Sequence, residues 1–241
     1  TVELFRHNDM PHVEEILANR RAQFNNAMIV TDGVFSMDGD LAPLEQLAAL
    51  SARFDTWLMT DDAHGVGVLG NGAGSSFAGV KKINIPLQMG TLSKAIGTYG
   101  GYLCGSKPVI DLIRTRARTL IYSTGLPPAV IAASIAAVEI IEKEPDLVKR
   151  PLKNAQLFTR LTNLPMAESS IVPLILGDAD QTLIASRKLE EYGFLVAAIR
   201  PPTVPENTAR LRFAFTAAHK MSDIEKLADV VRRDVLKDQD H

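Results

Sequence analysis

Short apolar runs alternate with helix-patterned stretches along the first 143 residues. Between two such runs, residues 41–54 repeat leucine and alanine at helical spacing and predict a helix. Strands are predicted where a run of apolar residues ends at a turn, at 27–31, 57–60, 85–89 and 99–104. Strands that alternate with helices predict a mostly parallel sheet covered by helices, which is the α/β class.

The remainder of the chain has a different pattern and predicts a small α+β domain. Proline at 127 and 128 opens a long helix that ends near Lys143, and Pro145 interrupts the pattern. We therefore predict a large domain over residues 1–143 and a small C-terminal domain over residues 144–241. Its predicted elements are helices at 146–162, 181–192 and 221–236 and strands at 171–176, 195–198 and 210–215.

The composition of the chain excludes several classes of function but says little about the fold. The net charge of −2 gives no electrostatic case for binding nucleic acid, and no apolar run reaches the roughly 18 residues of a membrane span. The single cysteine, Cys104, excludes an intrachain disulfide and favours a reducing compartment, so we predict a cytoplasmic protein. The chain begins at Thr1 as if within a domain, and we expect an N-terminal part to be missing.

The most reactive candidate in the sequence is Lys94, which lies among small and hydroxylated residues after an apolar run. An amine in this setting can form a Schiff base with a carbonyl compound. Asp32, Asp61, His64 and Thr91 follow predicted strand ends, where ligands collect in parallel sheets. A carboxylate and an imidazole are groups that a pyridine-type cofactor needs around its ring.

Three alternatives compete with this interpretation. Residues 65–70 match the G-x-G-x-x-G dinucleotide pattern, but the loop continues where a helix should open, which disfavours that site. Asp61, Asp62 and His64 could bind a divalent cation, but the other histidines are scattered, so we predict no metal site. From the residues alone, Asp61 and His64 could also merely cap a turn, and Lys94 could be an ordinary surface lysine.

Several longer motifs resemble one enzyme family. The chain is similar to the α-oxoamine synthases, which are pyridoxal 5'-phosphate (PLP) enzymes of the aspartate aminotransferase fold, fold type I. The similarity extends over nearly the whole chain in the family's order. The matching runs are TDGVFSMDGD at 31–40, DDAHG at 61–65, TLSK at 91–94, IYST at 121–124, RPPTVP at 200–205 and TARLR at 208–212.

The resemblance implies roles for residues around the cofactor. Lys94 would hold PLP covalently and move protons at the substrate α-carbon, kept partly neutral by desolvation and nearby positive charge. Asp61 would pair with the pyridine nitrogen, and His64 and Ser36 would lie by the phenolic oxygen of the ring. The phosphate would be reached by Thr91 and Ser93, and across a homodimer interface by Ser123 or Thr124.

The resemblance also implies a reaction, and it is strongest to the biotin-pathway branch of the family. In that branch L-alanine condenses with pimeloyl-CoA or pimeloyl-carrier protein, with loss of carbon dioxide, to give 8-amino-7-oxononanoate. Arg212 would clamp the amino-acid carboxylate, and Thr203 would contact the acyl chain. We expect Arg210 to face the opposite side of its strand from Arg212.

Two other functions stay open at this point. Relatives that use glycine, such as glycine C-acetyltransferase, share most of the same polar residues. A chain without the family's N-terminal portion could also be a non-catalytic fragment or a scaffold subunit, although Lys94 is retained.

Overall fold

The computed structural model describes residues 1–237, and these residues divide into two compact units. The first unit contains Thr1–Val34 and Leu41–Glu144, and the second contains Phe35–Asp40 together with the residues from Pro145 onward. The sequence predicted a split after residue 143 and did not foresee that the short segment 35–40 belongs to the second unit. This segment is a tight turn in which the N–H of Gly39 donates to the carbonyl of Phe35.

A four-stranded sheet organises the first unit. Its strands stand in the order β1-β2-β3-β4, with the first three parallel and the last antiparallel. The predicted mostly parallel sheet is therefore present, with one antiparallel edge strand. The strands are β1 (Met28–Asp32), β2 (Trp57–Asp61), β3 (Leu87–Thr91) and β4 (Gly101–Cys104).

Two of the first unit's five α-helices were predicted, one from its apolar spacing and one from the two prolines that open it, and the other three were not predicted. Leu44, Leu47 and Leu50 are buried along one face of the second helix, as the spacing of leucine predicted. The first helix was overlooked although it carries a start signal, since the side chain of Asp9 accepts the N–H of His12. The helices are α1 (Met10–Arg20), α2 (Leu44–Arg53), α3 (Lys107–Arg116), α4 (Arg118–Ile121) and α5 (Pro128–Lys143).

The second unit packs helices against an antiparallel three-stranded sheet of order β5-β7-β6. Its core centres on Phe158, whose ring centroid lies 4.7 Å from that of Phe213 and 5.2 Å from that of Phe215. The elements are α6 (Pro145–Thr162), β5 (Ile171–Gly177), α7 (Ala179–Glu191), β6 (Ala197–Ile199), β7 (Ala209–Ala214) and α8 (Met221–Val231), after which Arg232–Leu236 forms a π-helical turn. Within residues 1–237, no helix has the length and apolar character that crossing a membrane requires.

Candidate active site

The carboxyl ends of the three parallel strands bring predicted site residues to one edge of the sheet. Asp32, Asp61 and Thr91 are the last residues of β1, β2 and β3, and Asp32 pairs with Asp61 in the register. Burial raises the pKa of Asp32, the nearby carboxylate of Asp61 raises it further, and the positive charge of Lys94 opposes the rise. The carboxyl group of Asp32 is therefore close enough to interact electrostatically with both Asp61 and Lys94.

Asp61 is half-buried and fixes the turn that follows β2. Its Oδ1 accepts the N–H of Ala63 at 3.0 Å, and its backbone carbonyl accepts the N–H of Gly33 at 2.7 Å. The capping role considered as an alternative is therefore real, but it occupies one of the two carboxylate oxygens. His64 is also half-buried and lies in the same turn.

A tight turn after β3 presents Lys94. The carbonyl of Lys94 accepts the N–H of Gly97 at 2.9 Å, and Gly97 adopts a left-handed φ of 72°, which glycine tolerates without strain. The side chain of Lys94 is exposed, so the expected desolvation is wrong for the described residues. Thr91 Oγ1 and Ser93 Oγ share a hydrogen bond of 2.7 Å beside this turn.

The other predicted phosphate contacts lie on an exposed segment between α4 and α5. Ser123 and Thr124 are both exposed, and the hydroxyl of Ser123 donates to the carbonyl of Thr119. These residues lie in the first unit, as do Asp61, His64 and Lys94.

The second unit brings Arg212 and Ser36 together. Arg212 Nε donates to the carbonyl oxygen of Ser36, and burial lowers the pKa of this half-buried guanidinium. The hydrogen bond uses Nε, which leaves the terminal nitrogens of the fork for another acceptor. Thr203 is exposed, and its N–H donates to the carbonyl of Arg200 at 3.0 Å.

The expectation that Arg210 and Arg212 face opposite sides of β7 is wrong. Strand side chains repeat every two residues, so positions 210 and 212 share a face. Both guanidiniums reach the segment 35–40, where Arg210 pairs with Asp38 and donates to the carbonyl of Met37 at 3.3 Å. Arg210 is only 4% exposed. Its role is to anchor this turn, whereas Arg212 remains the candidate for a substrate.

The glycine-rich loop after β2 does not form a dinucleotide site. The pattern would need a helix to open at Gly70, but Gly70–Gly72 is a single 3-10 turn, and Val66 and Ala73 form an isolated antiparallel bridge. Among residues 1–237, no group of three or more histidine, cysteine or acidic side chains is arranged to hold a metal ion.

The sequence interpretation missed the part played by Asp62, the neighbour of Asp61. It is 3% exposed, and its Oδ2 accepts the N–H of Ser75 at 2.8 Å. The sequence does carry a signal for this role, because the loop after Asp62 is unusually rich in glycine. We considered those glycines only as a possible dinucleotide site.

The fold and the strand-end residues define the class of the protein. The chain belongs to the aminotransferase class I and II family, which matches residues 1–231. This match and the structural neighbours confirm the predicted fold class and the resemblance to the α-oxoamine synthases.

Individual relatives refine the comparison. The chain is 62% identical over 231 residues to an 8-amino-7-oxononanoate synthase from Beijerinckia indica, covering 96% of this chain and 60% of that protein. A serine palmitoyltransferase from S. paucimobilis with a bound PLP–myriocin aldimine superposes with a TM-score of 0.89 at 28% identity, covering 95% of this chain and 59% of that one. For an 8-amino-7-oxononanoate synthase from Francisella tularensis, the TM-score is 0.80 at 26% identity, with 98% and 69% covered. The chain thus spans about 60% of the length of the first curated relatives it matches.

Proposed function

We propose that the chain carries out the chemistry of an 8-amino-7-oxononanoate synthase. In this reaction L-alanine condenses with a pimeloyl thioester, of CoA or of a carrier protein, to give 8-amino-7-oxononanoate, carbon dioxide and the free thiol. The observation that carries the proposal is that Asp32 pairs with Asp61 at the strand ends of this fold and interacts electrostatically with both Asp61 and Lys94. The names of relatives at 54–62% identity support the choice of reaction.

The residues at the strand ends fit PLP as the cofactor. Bound PLP supplies a ring that withdraws electrons from the α-carbon of an amino acid. Asp61 is suited to hold the proton on a ring nitrogen, because its carboxylate is half-buried and fixed by the turn amide of Ala63. The amine of Lys94 is the proposed point of covalent attachment and the base that moves a proton at the α-carbon.

The other proposed contacts follow the matching motifs. His64 and Ser36 would donate to or accept from the phenolic oxygen of the ring, and Thr91 and Ser93 would bind the phosphate. In a homodimer, Ser123 and Thr124 would serve the phosphate held by the second copy of the chain. The homodimer and the cytoplasmic location stay predictions.

Arg212 is the proposed site for the carboxylate of L-alanine. Its half-buried guanidinium is held by the carbonyl of Ser36, so a planar fork is already oriented before an anion binds. Thr203 would lie along the acyl chain.

Borohydride trapping tests the cofactor assignment directly. After incubation with PLP and reduction, peptide mass spectrometry should find the cofactor attached to Lys94. The Lys94→Ala variant should lose this adduct, whereas Lys81→Ala, which removes another exposed lysine of the first unit, should keep it. An adduct that persists unchanged in Lys94→Ala would refute the assignment.

Substrate choice is tested by comparing two pairs. L-alanine with pimeloyl-CoA should release carbon dioxide and free thiol faster than glycine with acetyl-CoA. The opposite preference would move the chain to the glycine-using relatives, and trapping without turnover of either pair would favour the non-catalytic alternative.

A further inference from the structure

Asp62 lies in a cage of glycines next to the candidate active site. A Cβ added at Gly65 would lie 2.0 Å from Asp62 Oδ1, and one added at Gly74 would lie 2.0 Å from Oδ2. At Gly33 it would lie 2.6 Å from Oδ1 and 2.2 Å from Ser75 Oγ. A side chain at any of these three glycines would therefore collide with the carboxyl group of Asp62.

The same residue ties the loop to the sheet through both its backbone and its side chain. Its N–H donates to the carbonyl of Met89 at 2.9 Å, which extends the contact between β2 and β3. Its carbonyl accepts the N–H groups of Gly65 and Val66, both at 3.1 Å. Its Oδ2 accepts the N–H of Ser75 at 2.8 Å, thirteen residues along the chain. Both ends of the loop 65–75 are thus fastened to one buried residue.

The fastened loop reaches the turn that presents the candidate lysine. Gly67 has a left-handed φ of 78°, and a Cβ there would lie 2.4 Å from the Cβ of Ala95, which follows Lys94 in the chain. On the other side, the loop begins in the turn that contains Asp61 and His64. A displacement of the loop would therefore move Lys94 on one side and Asp61 and His64 on the other, which the proposed function places around the cofactor.

We propose that Asp62 is a positioning residue, which clamps the loop 65–75 and so holds Asp61, His64 and Lys94 in the arrangement that binds PLP. The clamp itself is a property of this chain's own contacts. Its effect on the cofactor rests on the proposed function above. In this proposal, glycines of the pattern that resembles a dinucleotide fingerprint are needed because larger residues would collide with a buried carboxyl group.

Two substitutions at the clamp and a matched control test the proposal. Asp62→Ala removes the acceptor for Ser75 N–H, whereas Asp62→Asn keeps an amide oxygen that can accept it. Asp9→Ala is the control, because Asp9 is another carboxylate of the first unit that accepts a backbone N–H, that of His12 at 2.9 Å. Each variant is measured without PLP by amide hydrogen exchange and with PLP by a binding titration.

In the Asp62→Ala chain, the Ser75 amide should exchange at least about tenfold faster, as expected for the loss of one hydrogen bond to a charged group, and PLP affinity should fall by a similar factor. Asp62→Asn should restore both values towards wild type. Asp9→Ala should accelerate exchange at the start of α1, where it removes the acceptor for the His12 N–H, and leave PLP affinity unchanged.

A double-mutant cycle keeps the test decisive if Asp62→Ala folds poorly. Gly65→Ala introduces the Cβ that meets Asp62 Oδ1, and it should accelerate exchange in the loop and weaken PLP binding. Combined with Asp62→Ala, the same Cβ should cost less than it does alone, because the carboxyl group it collides with is gone. Strict additivity in this cycle would overturn the cage.

The two readouts separate failure of this inference from failure of the proposed function. Unchanged exchange of Ser75 in Asp62→Ala would overturn the clamp. Faster exchange with unchanged PLP affinity would overturn the positioning role. A wild-type chain that does not bind PLP would overturn the proposed function, and the exchange measurement would still decide the clamp.

Discussion

The buried carboxyl group of Asp62 should make the stability of the first unit fall as the pH rises. Burial raises its pKa from 3.8 to about 6, although the hydrogen bond from the Ser75 N–H opposes the rise. A carboxyl group whose pKa is higher in the folded state binds its proton more tightly there. Its contribution to stability is therefore complete below the unfolded value of 3.8 and is lost as the pH rises through about 6.

The size of the effect follows from the shift. Each pKa unit corresponds to 1.36 kcal/mol, so a shift of roughly two units predicts a loss of about 3 kcal/mol in the free energy of unfolding across this window. Asp62→Asn removes the titrating group and keeps a similar shape. The free energy of unfolding of the wild-type chain, minus that of Asp62→Asn, should therefore fall by about this amount between acid and mildly alkaline pH.

Denaturant unfolding at a series of pH values measures this difference. Trp57 is the only tryptophan of the chain and lies in β2, so its fluorescence reports on the unit that contains Asp62. Asp9→Asn provides a control of opposite sign. The N–H of His12 and the side chain of Arg6 lower the pKa of Asp9, so its contribution should be lost as the pH falls. A wild-type minus Asp62→Asn difference that is flat or rises with pH would refute the argument.

Further variants probe the second unit. Arg210→Ala should lower the free energy of unfolding by about 1–3 kcal/mol, because it removes a buried guanidinium paired with the 35–40 turn. Arg212→Ala should instead raise the KM for L-alanine about tenfold or more, with a smaller loss of stability. Equal changes of KM and of stability in the two variants would contradict the assignment. Gly39→Ala should destabilise by at least about 2 kcal/mol in a melting experiment, since φ is 74° and the new Cβ would lie 2.2 Å from the carbonyl oxygen of Ile171. Phe158→Ala should cost about 3–5 kcal/mol in denaturant unfolding, because the ring is fully buried among aromatic neighbours; a loss below about 1 kcal/mol would contradict the described core.

The sequence predicted the elements whose pattern is local and strong. The leucines of α2 and the apolar residues of β2 have the spacing that a buried face requires, and both elements were found within three residues of their predicted bounds. The helices α3 and α4 were missed. Their described side chains are partly or fully exposed, so no buried stripe marked them in the sequence.

The meeting of the strand-end residues could be predicted from the sequence, because the same rule of chain geometry applies to each parallel strand. Parallel strands end at the same edge, so Asp32, Asp61 and Thr91 had to meet once the strands were recognised. The exposure of Lys94 was not predictable in the same way, because it depends on the atoms that surround a turn rather than on the turn's own residues. The error over Arg210 has a different origin, since the two-residue period of a strand already places it beside Arg212.

Asp62 gives the glycine-rich loop a structural explanation that the sequence interpretation, which only rejected a dinucleotide site there, did not find. A glycine is required wherever a backbone must leave room for a neighbouring group, and a phosphate is only one such group. In this loop, Gly65 and Gly74 leave room for a carboxyl group contributed by the chain itself. The spacing of the glycines alone does not distinguish the two cases. The single 3-10 turn at Gly70–Gly72 does, because the dinucleotide pattern needs an α-helix to open there, whereas the carboxyl group of Asp62 accepts the amide of Ser75. Glycine-rich loops after a strand in this fold should therefore be tested for an internal acidic partner before a nucleotide is assigned to them.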